Sequence, residues 1–236
     1  MTLRISLALA ISIAAHGMAR ADDPVLAPGQ DPGGVAVAVL ADGFDTTRAD
    51  LARVLARDGE GEAIAWDAVD RDPRPFAAQG AGTDIVLAAT ARGGVRIVAV
   101  RVTPSEAGSL AQGIAFAAAT PARIVLVTLD GEGKTGLAVI EAAARRFEAL
   151  LLVGSVTKLG ADDKKMGEGV PNLVLLDAGG DGRAGAETIA RALGCGQGAL
   201  AGETGAELKT AFLARLESEA PSRCAPHDEA PKGEQR

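Results

Sequence analysis

Few residues in this chain can do chemistry, and their spacing limits what that chemistry is. Gly131-Glu132-Gly133-Lys134-Thr135 lies between an apolar run and a helical pattern. In that setting backbone amides at a helix N-terminus can cradle a phosphate. The first glycine of the full phosphate-loop pattern falls on Thr128, so an ordinary glycine-rich turn competes with a phosphate or nucleotide site at Gly131, Gly133, Lys134 and Thr135. Asp42, Asp45 and Asp84 stand where strands are expected to end. They are candidates for a carboxylate acid–base pair or a cation site, against the simpler reading of capping and solvated turn carboxylates. Ser155 also sits at a strand end, with nothing near it in sequence to activate a hydroxyl. Asp162-Asp163-Lys164-Lys165 reads as a solvated loop and Arg145-Arg146 as the wet face of a helix. Cys195 and Cys224 fit no metal-ligand spacing. In an oxidising compartment they could pair, closing a loop worth about 3–4 kcal/mol on the chain-entropy model. No cofactor and no metal is expected.

The elements that must position these residues are read from hydrophobic periodicity. Gly93 to Val102 is an apolar, β-branched run bounded by glycines and by Thr103-Pro104, a strand covered on both faces. A helical pattern over Ser105–Ala119 and a strand over Arg123–Thr128 follow, which makes a right-handed βαβ unit in a parallel sheet. Further strands are expected at Val35–Leu40, Glu62–Trp66, Leu150–Val153 and Asn172–Asp177. Thr46 or Thr47 is expected to cap a helix carrying Leu51, Val54 and Leu55 and ending at Gly59, with Thr47 and Asp50 at capping-box spacing. Asp70–Gly82 reads as a loop, and Lys158–Gly169 as a charged loop. Ile85–Ala91 is ambiguous, since Ile-Val-Leu favours a strand and the alanines a helix. Helices are expected at Gly136–Ala149, Ala186–Leu193 and Glu203–Leu216, the last with Thr204 and Glu207 as a capping box. The fold class is α/β: one three-layer αβα domain around a mostly parallel sheet.

The ends and the overall charge narrow the function. Arg4, the apolar run Ile5–Ala15 and Ala19-Arg20-Ala21 form a signal-peptide pattern over residues 1–21. The run is too short to span a bilayer, although a retained anchor is the competing reading. Residues 22–34 are a Pro- and Gly-rich lead-in, 35–217 the α/β domain, and 218–236 a polar tail expected to be disordered. Cleavage removes Arg4 and Arg20 and no acids, taking the formal charge from -7 to -9. An acidic chain with 3% aromatic residues and no tyrosine does not suit nucleic-acid binding or a carbohydrate platform. The expected location is periplasmic or secreted, with no membrane span once the signal is removed.

In their order along the chain, the segments resemble the subtilisin-like serine peptidases (subtilases). Val37-Ala38-Val39-Leu40-Ala41-Asp42-Gly43-Phe44-Asp45 is similar to the family's first core strand running into Asp-Thr/Ser-Gly-Ile-Asp. Thr47-Arg48-Ala49-Asp50-Leu51 resembles its His-Pro-Asp-Leu. Gly82-Thr83 and Gly94–Val102 resemble its His-Gly-Thr segment and the strand beyond, and Ile114-Ala115-Phe116-Ala117 its Ile-x-Trp-Ala helix. Leu152-Val153-Gly154-Ser155 stands where the family has Ala-Ala-Gly-Asn, and Leu176-Asp177-Ala178-Gly179 resembles its Ala-Pro-Gly stretch. The chemistry does not follow. The family's catalytic Asp falls on Ala41, its His on Ala81, its nucleophilic Ser on Arg183 and its oxyanion Asn on Ser155.

The residue inventory agrees independently of that comparison. The two histidines, His16 and His227, lie in the signal segment and the tail, so the core cannot assemble a Ser-His-Asp relay. After residue 21 the serines are Ser105, Ser109, Ser155, Ser218 and Ser222, none of them in the Gly179–Gly185 turn. The resemblance therefore implies a subtilase-like pseudoenzyme that binds an extended peptide or protein partner without cutting it. Two other classes compete: a hydrolase with a rearranged site built on Asp42, Asp84 or Glu187, and a phosphate or nucleotide binder using Lys134.

Overall fold

The computed structural model describes residues 23–129, 134–177, 183–194, 200 and 202–218. The elements run β1 (Val35–Ala41), α1 (Ala49–Ala52), β2 (Ala65–Asp67), α2 (Gly82–Thr90), β3 (Val95–Arg101), α3 (Ala107–Ala118), β4 (Ile124–Leu129), α4 (Lys134–Arg146), β5 (Leu151–Val156), α5 (Ala161–Gly169), β6 (Leu173–Asp177), α6 (Arg183–Leu193) and α7 (Gly205–Glu217). All the strands pair in parallel, in the order β2-β3-β1-β4-β5-β6. This is the expected α/β class, with helices on both faces of one sheet.

The strands are runs of Val, Leu, Ile and Ala because both faces are covered. Alternate residues feed two cores. Val37, Val39, Ile97, Leu126 and Val153 face α2, α6 and α7. Ala38, Leu40, Val98, Val125, Val127 and Leu152 face α3 and α4. Residues 85–91 resolve as helix rather than strand. Ile85, Val86 and Ala89 are buried together in the first core, a helical spacing, and that burial overrides the strand preference of Ile-Val-Leu.

The two faces have a consequence for chirality. The crossovers β3–α3–β4 and β4–α4–β5 pass over one face, and β5–α5–β6 passes over the same face, where Met166 of α5 joins the second core. The crossover β2–α2–β3 steps across the sheet in the same direction over the opposite face. It has the opposite hand to the other three. Crossovers of this kind are right-handed in about 98% of cases, so the α2 connection is the left-handed one. Its effect is to set α2 beside α6 on one face of the sheet.

Three local expectations are corrected. Residues 158–169 are not all loop: Ala161–Gly169 is α5, started by Asp163 Oδ2 accepting from the Gly160 N–H at 2.9 Å. The first helix is only one turn and does not reach Gly59, because Val54–Ala56 hydrogen-bond with Ile97 of β3. That pairing covers the side of β3 away from β1 at Ile97, which a longer helix would leave bare. Neither Thr46 nor Thr47 caps α1. The N-cap is Arg48 with no side-chain cap bond, while Thr47 donates its N–H and hydroxyl to Asp45 Oδ1. The Thr204–Glu207 capping box of α7 is present as expected.

The lead-in is extended and tied down. The Arg57 guanidinium, buried, donates to the carbonyls of Ala27, Ala52 and Gly61. Asp31 accepts from the backbone of Gly33 and Arg57 and from Arg96 Nη1 at 2.7 Å. Burial works against the Asp31 charge, but those hydrogen bonds and the Arg96 charge outweigh it and hold the carboxyl below its usual range. Among the described residues no helix is long and apolar enough to cross a membrane.

Candidate functional site

Asp42, Asp45, Asp84, Ala41, Ala81, Ser155 and Arg183 gather at the C-terminal end of the sheet, in two corners. In the first, β1 ends at Ala41, which is buried in the core beneath α2 and α6. The next residue, Asp42, is exposed, and its Oδ1 accepts from the Ala81 N–H at 2.8 Å. Ala81 is the N-cap of α2, so this carboxylate takes the N-cap N–H, the donor that an N3 acid takes in a capping box. The Gly82 N–H then donates to the Gly43 carbonyl at 3.1 Å. A Cβ on Gly82 would lie 2.5 Å from that carbonyl and 2.6 Å from the Phe44 ring, so only glycine allows this approach.

The other carboxylates of this corner are also engaged. The Asp45 N–H donates to Thr83 Oγ1 at 2.7 Å, which ties the β1 turn to the first turn of α2. Arg48 forks onto Asp50 at 3.0 and 2.6 Å and reaches Asp84 at 3.8 Å. The hydrogen bond from Arg48 holds the Asp50 carboxyl below its usual range. Asp42, Asp45 and Asp84 thus do come to one helix end, as the sequence reading allowed. They are spent there on backbone, threonine and arginine. No group of three ligating side chains fit for a metal occurs among the described residues.

A polar cluster that the sequence reading missed adjoins this corner. Arg101 at the end of β3 donates through Nη1 to Asp67 Oδ2 at 2.8 Å and Asp70 Oδ2 at 3.0 Å, and through Nε to the Asp42 carbonyl at 3.3 Å. Burial opposes the Arg101 charge, but the two aspartates outweigh it and hold the guanidinium above its ordinary range. Asp67 is fully buried and also accepts from the N–H groups of Val69 and Asp70. The one signal in sequence was position: Asp67 and Arg101 each close a strand, and β2 and β3 pair in register at those residues.

The second corner joins β5 to α6. Ser155 is buried, and its Oγ has no hydrogen-bond partner among the described residues. It pairs in register with Thr128 on β4, whose hydroxyl reaches back to the Leu40 carbonyl of β1 at 3.4 Å. Gly185 lies over it, so close that a Cβ there would be 2.7 Å from both the Ser155 Cβ and Oγ. Arg183 opens α6 at an exposed position two residues earlier.

Of the phosphate-loop residues, Gly131 and Gly133 lie outside the described residues, while Lys134 and Thr135 form the exposed first turn of α4 after β4. Cys195 and Cys224 also lie outside, as do residues 1–22, 178–182 and 219–236. Between α2 and α6 runs an open groove of about 580 Å³, lined by Ala88, Ala91, Arg92, Ala184, Glu187 and Arg191 among others. Its size suits a ligand, but small and charged side chains replace the apolar lining such sites favour. Glu187 faces this groove; Asp42 and Asp84 do not line it.

No protein-family model matches the chain, and no curated protein matches it.

Proposed function

We propose that this chain is an exported, subtilase-like pseudoenzyme that holds a peptide or protein partner in extended form at the C-terminal end of its sheet without cutting it. One observation carries the reading. Ala41, Ala81, Ser155 and Arg183, picked out by their order in the sequence, lie at the ends of β1 and β5 and the starts of α2 and α6. Those are elements that meet: Asp42 holds α2, Gly185 sits on Ser155, and α2 and α6 share one core. Two methyl groups and a guanidinium provide neither nucleophile nor base, and the exposed end between the helices is left to binding.

The test has two arms. A fluorophosphonate serine probe should label the folded protein no more than the heat-denatured control; fold-dependent labelling of Ser155 would overturn the non-catalytic reading. A photo-crosslinking amino acid placed at exposed Ala81, in protein expressed for export, should form a discrete adduct. The same group at exposed Ala115, on the α3 face, should form none. Equal adducts at both positions, or none at either, would count against a partner at this end.

A further inference from the structure

At the end of the sheet opposite the two corners, the starts of β6 and α7 meet the close of α4. Asn172, the residue before β6, is 4% exposed. Its Nδ2 donates to the carbonyls of Ala144 at 2.9 Å, Phe147 at 3.2 Å and Leu150 at 2.9 Å. Those carbonyls fix which way the amide points, because only its nitrogen can donate to them. The side-chain oxygen is turned away from all three and accepts from no described residue. It is not sealed in the core either. Asn172 lines an open cleft of about 480 Å³, with Ala144, Arg145, Glu148, Pro171 and Ala206 also on its walls.

The same cleft holds a donor without an acceptor. In the first turn of α7 the Gly205 N–H donates to the Glu148 carbonyl at 2.7 Å and the Glu207 N–H to Thr204 Oγ1 at 3.3 Å. The Ala206 N–H between them donates to no described residue, and it sits at the positive end of a 13-residue helix. Gly205 is pressed on Asn172, where an added Cβ would lie 2.7 Å from the asparagine Cβ. The acceptor and the donor are therefore neighbours across that contact. Two exposed charges flank them from α4 and the turn after it. Arg145 pairs with Glu141 at 2.8 Å, an exposed pair that a ligand displaces at little cost. Glu148 follows one turn later, also exposed.

We propose that this cleft binds a free α-amino acid with an aliphatic side chain. The ammonium donates to Asn172 Oδ1 beside the Glu148 carboxylate. The carboxylate accepts from the Ala206 N–H at the helix end and meets Arg145. Because acceptor and donor are neighbours, both ligand charges must be carried on one carbon, which excludes longer zwitterions. Ala144, Val170 and Pro171 line the remaining wall and suit an aliphatic side chain. A bare anion would leave Asn172 Oδ1 without a donor, and a bare cation would face the positive end of α7.

Isothermal titration calorimetry of the purified full chain with L-leucine, from micromolar to millimolar, should show saturable one-site binding. Isopentylamine, which lacks the carboxylate, and isocaproate, which lacks the amine, should each bind about tenfold more weakly. Asn172 is left in place, since its loss would free three carbonyls. Arg145→Ala and Glu148→Gln change exposed side chains and keep the fold, and each should weaken L-leucine about fivefold. In proton–nitrogen correlation spectra the Ala206 amide should shift along the same saturation curve. The absence of saturable binding would overturn the proposal. So would an analogue lacking one charge that binds as tightly as L-leucine, binding indifferent to both variants, or an Ala206 amide that does not move.

Discussion

The β1–α2 corner and the β5–α6 corner sit at the same end of the sheet but are finished in different ways. In the first, polar groups answer one another: Asp42 caps α2 through the Ala81 N–H, Asp45 meets Thr83, and Arg48 gathers Asp50 and Asp84. In the second, the buried Ser155 hydroxyl has no hydrogen-bond partner among the described residues and lies close beneath Gly185. A buried polar group without a partner costs about 1–3 kcal/mol. The first corner is therefore built for stability by its hydrogen bonds. The second is held by close packing in spite of its polar atom.

The comparison is broken most severely where backbone meets backbone. Gly82→Ala should destabilise by about 3 kcal/mol in denaturant unfolding, because its Cβ collides with the rigid Gly43 carbonyl and the buried Phe44 ring. Gly185→Ala should cost less, about 2 kcal/mol, since it meets one small side chain. Adding Ser155→Gly should recover much of that loss; a double variant no better than Gly185→Ala alone would mean the contact with Ser155 does not hold this corner.

Single polar deletions should then separate the corners by sign. Asp42→Ala removes a cap and should destabilise by about 1 kcal/mol, whereas Ser155→Ala removes an unpartnered hydroxyl and should be neutral or stabilising by about 1 kcal/mol. Equal losses in both would erase the distinction drawn here.

The smallest effect is in acid. The Asp50 carboxyl titrates below its usual range because Arg48 hydrogen-bonds to it. A depressed folded-state pKa contributes stability that is present above the unfolded value, about pH 4, and is lost as the pH falls through the lower folded value. Hydrogen exchange at Leu51, whose N–H donates to Asp50 Oδ1, should therefore quicken below about pH 4 relative to Gly185, to which no carboxylate among the described residues is bonded. A parallel change at both sites would remove the electrostatic half of the contrast.

How much of this was legible follows from the range of the interactions involved. Every strand except β2, which is Ala-Trp-Asp, announced itself as a β-branched or aliphatic run, and α7 by Thr204 and Glu207 three residues apart, because those signals are local. Lys158–Gly169 read as loop because nine residues with only Met166 as a large apolar group carry almost no helical stripe. Its helix rests on a lead-in cap from Asp163 and on Lys209 of α7, which donates to the Gly167 and Val170 carbonyls at its end. Thr47 and Asp50 had the spacing of a capping box, but Asp45 took the threonine and Arg48 took the aspartate. Spacing identifies who can meet; competition among neighbours decides who does.

The sequence by itself determined the α/β class and the parallel sheet, since composition and short-range periodicity are complete in one dimension. It also put Asp42, Asp45 and Asp84 near one another where strands end, whereas Asp84 lies in the first turn of α2. Only the tertiary structure decided that these carboxylates would be consumed as caps and ion pairs. It alone set the hand of the α2 crossover and brought Gly82 onto Gly43 and Gly185 onto Ser155. Those outcomes depend on contacts between residues tens of positions apart, where helix packing and the order of strands, rather than the local pattern, choose the neighbours.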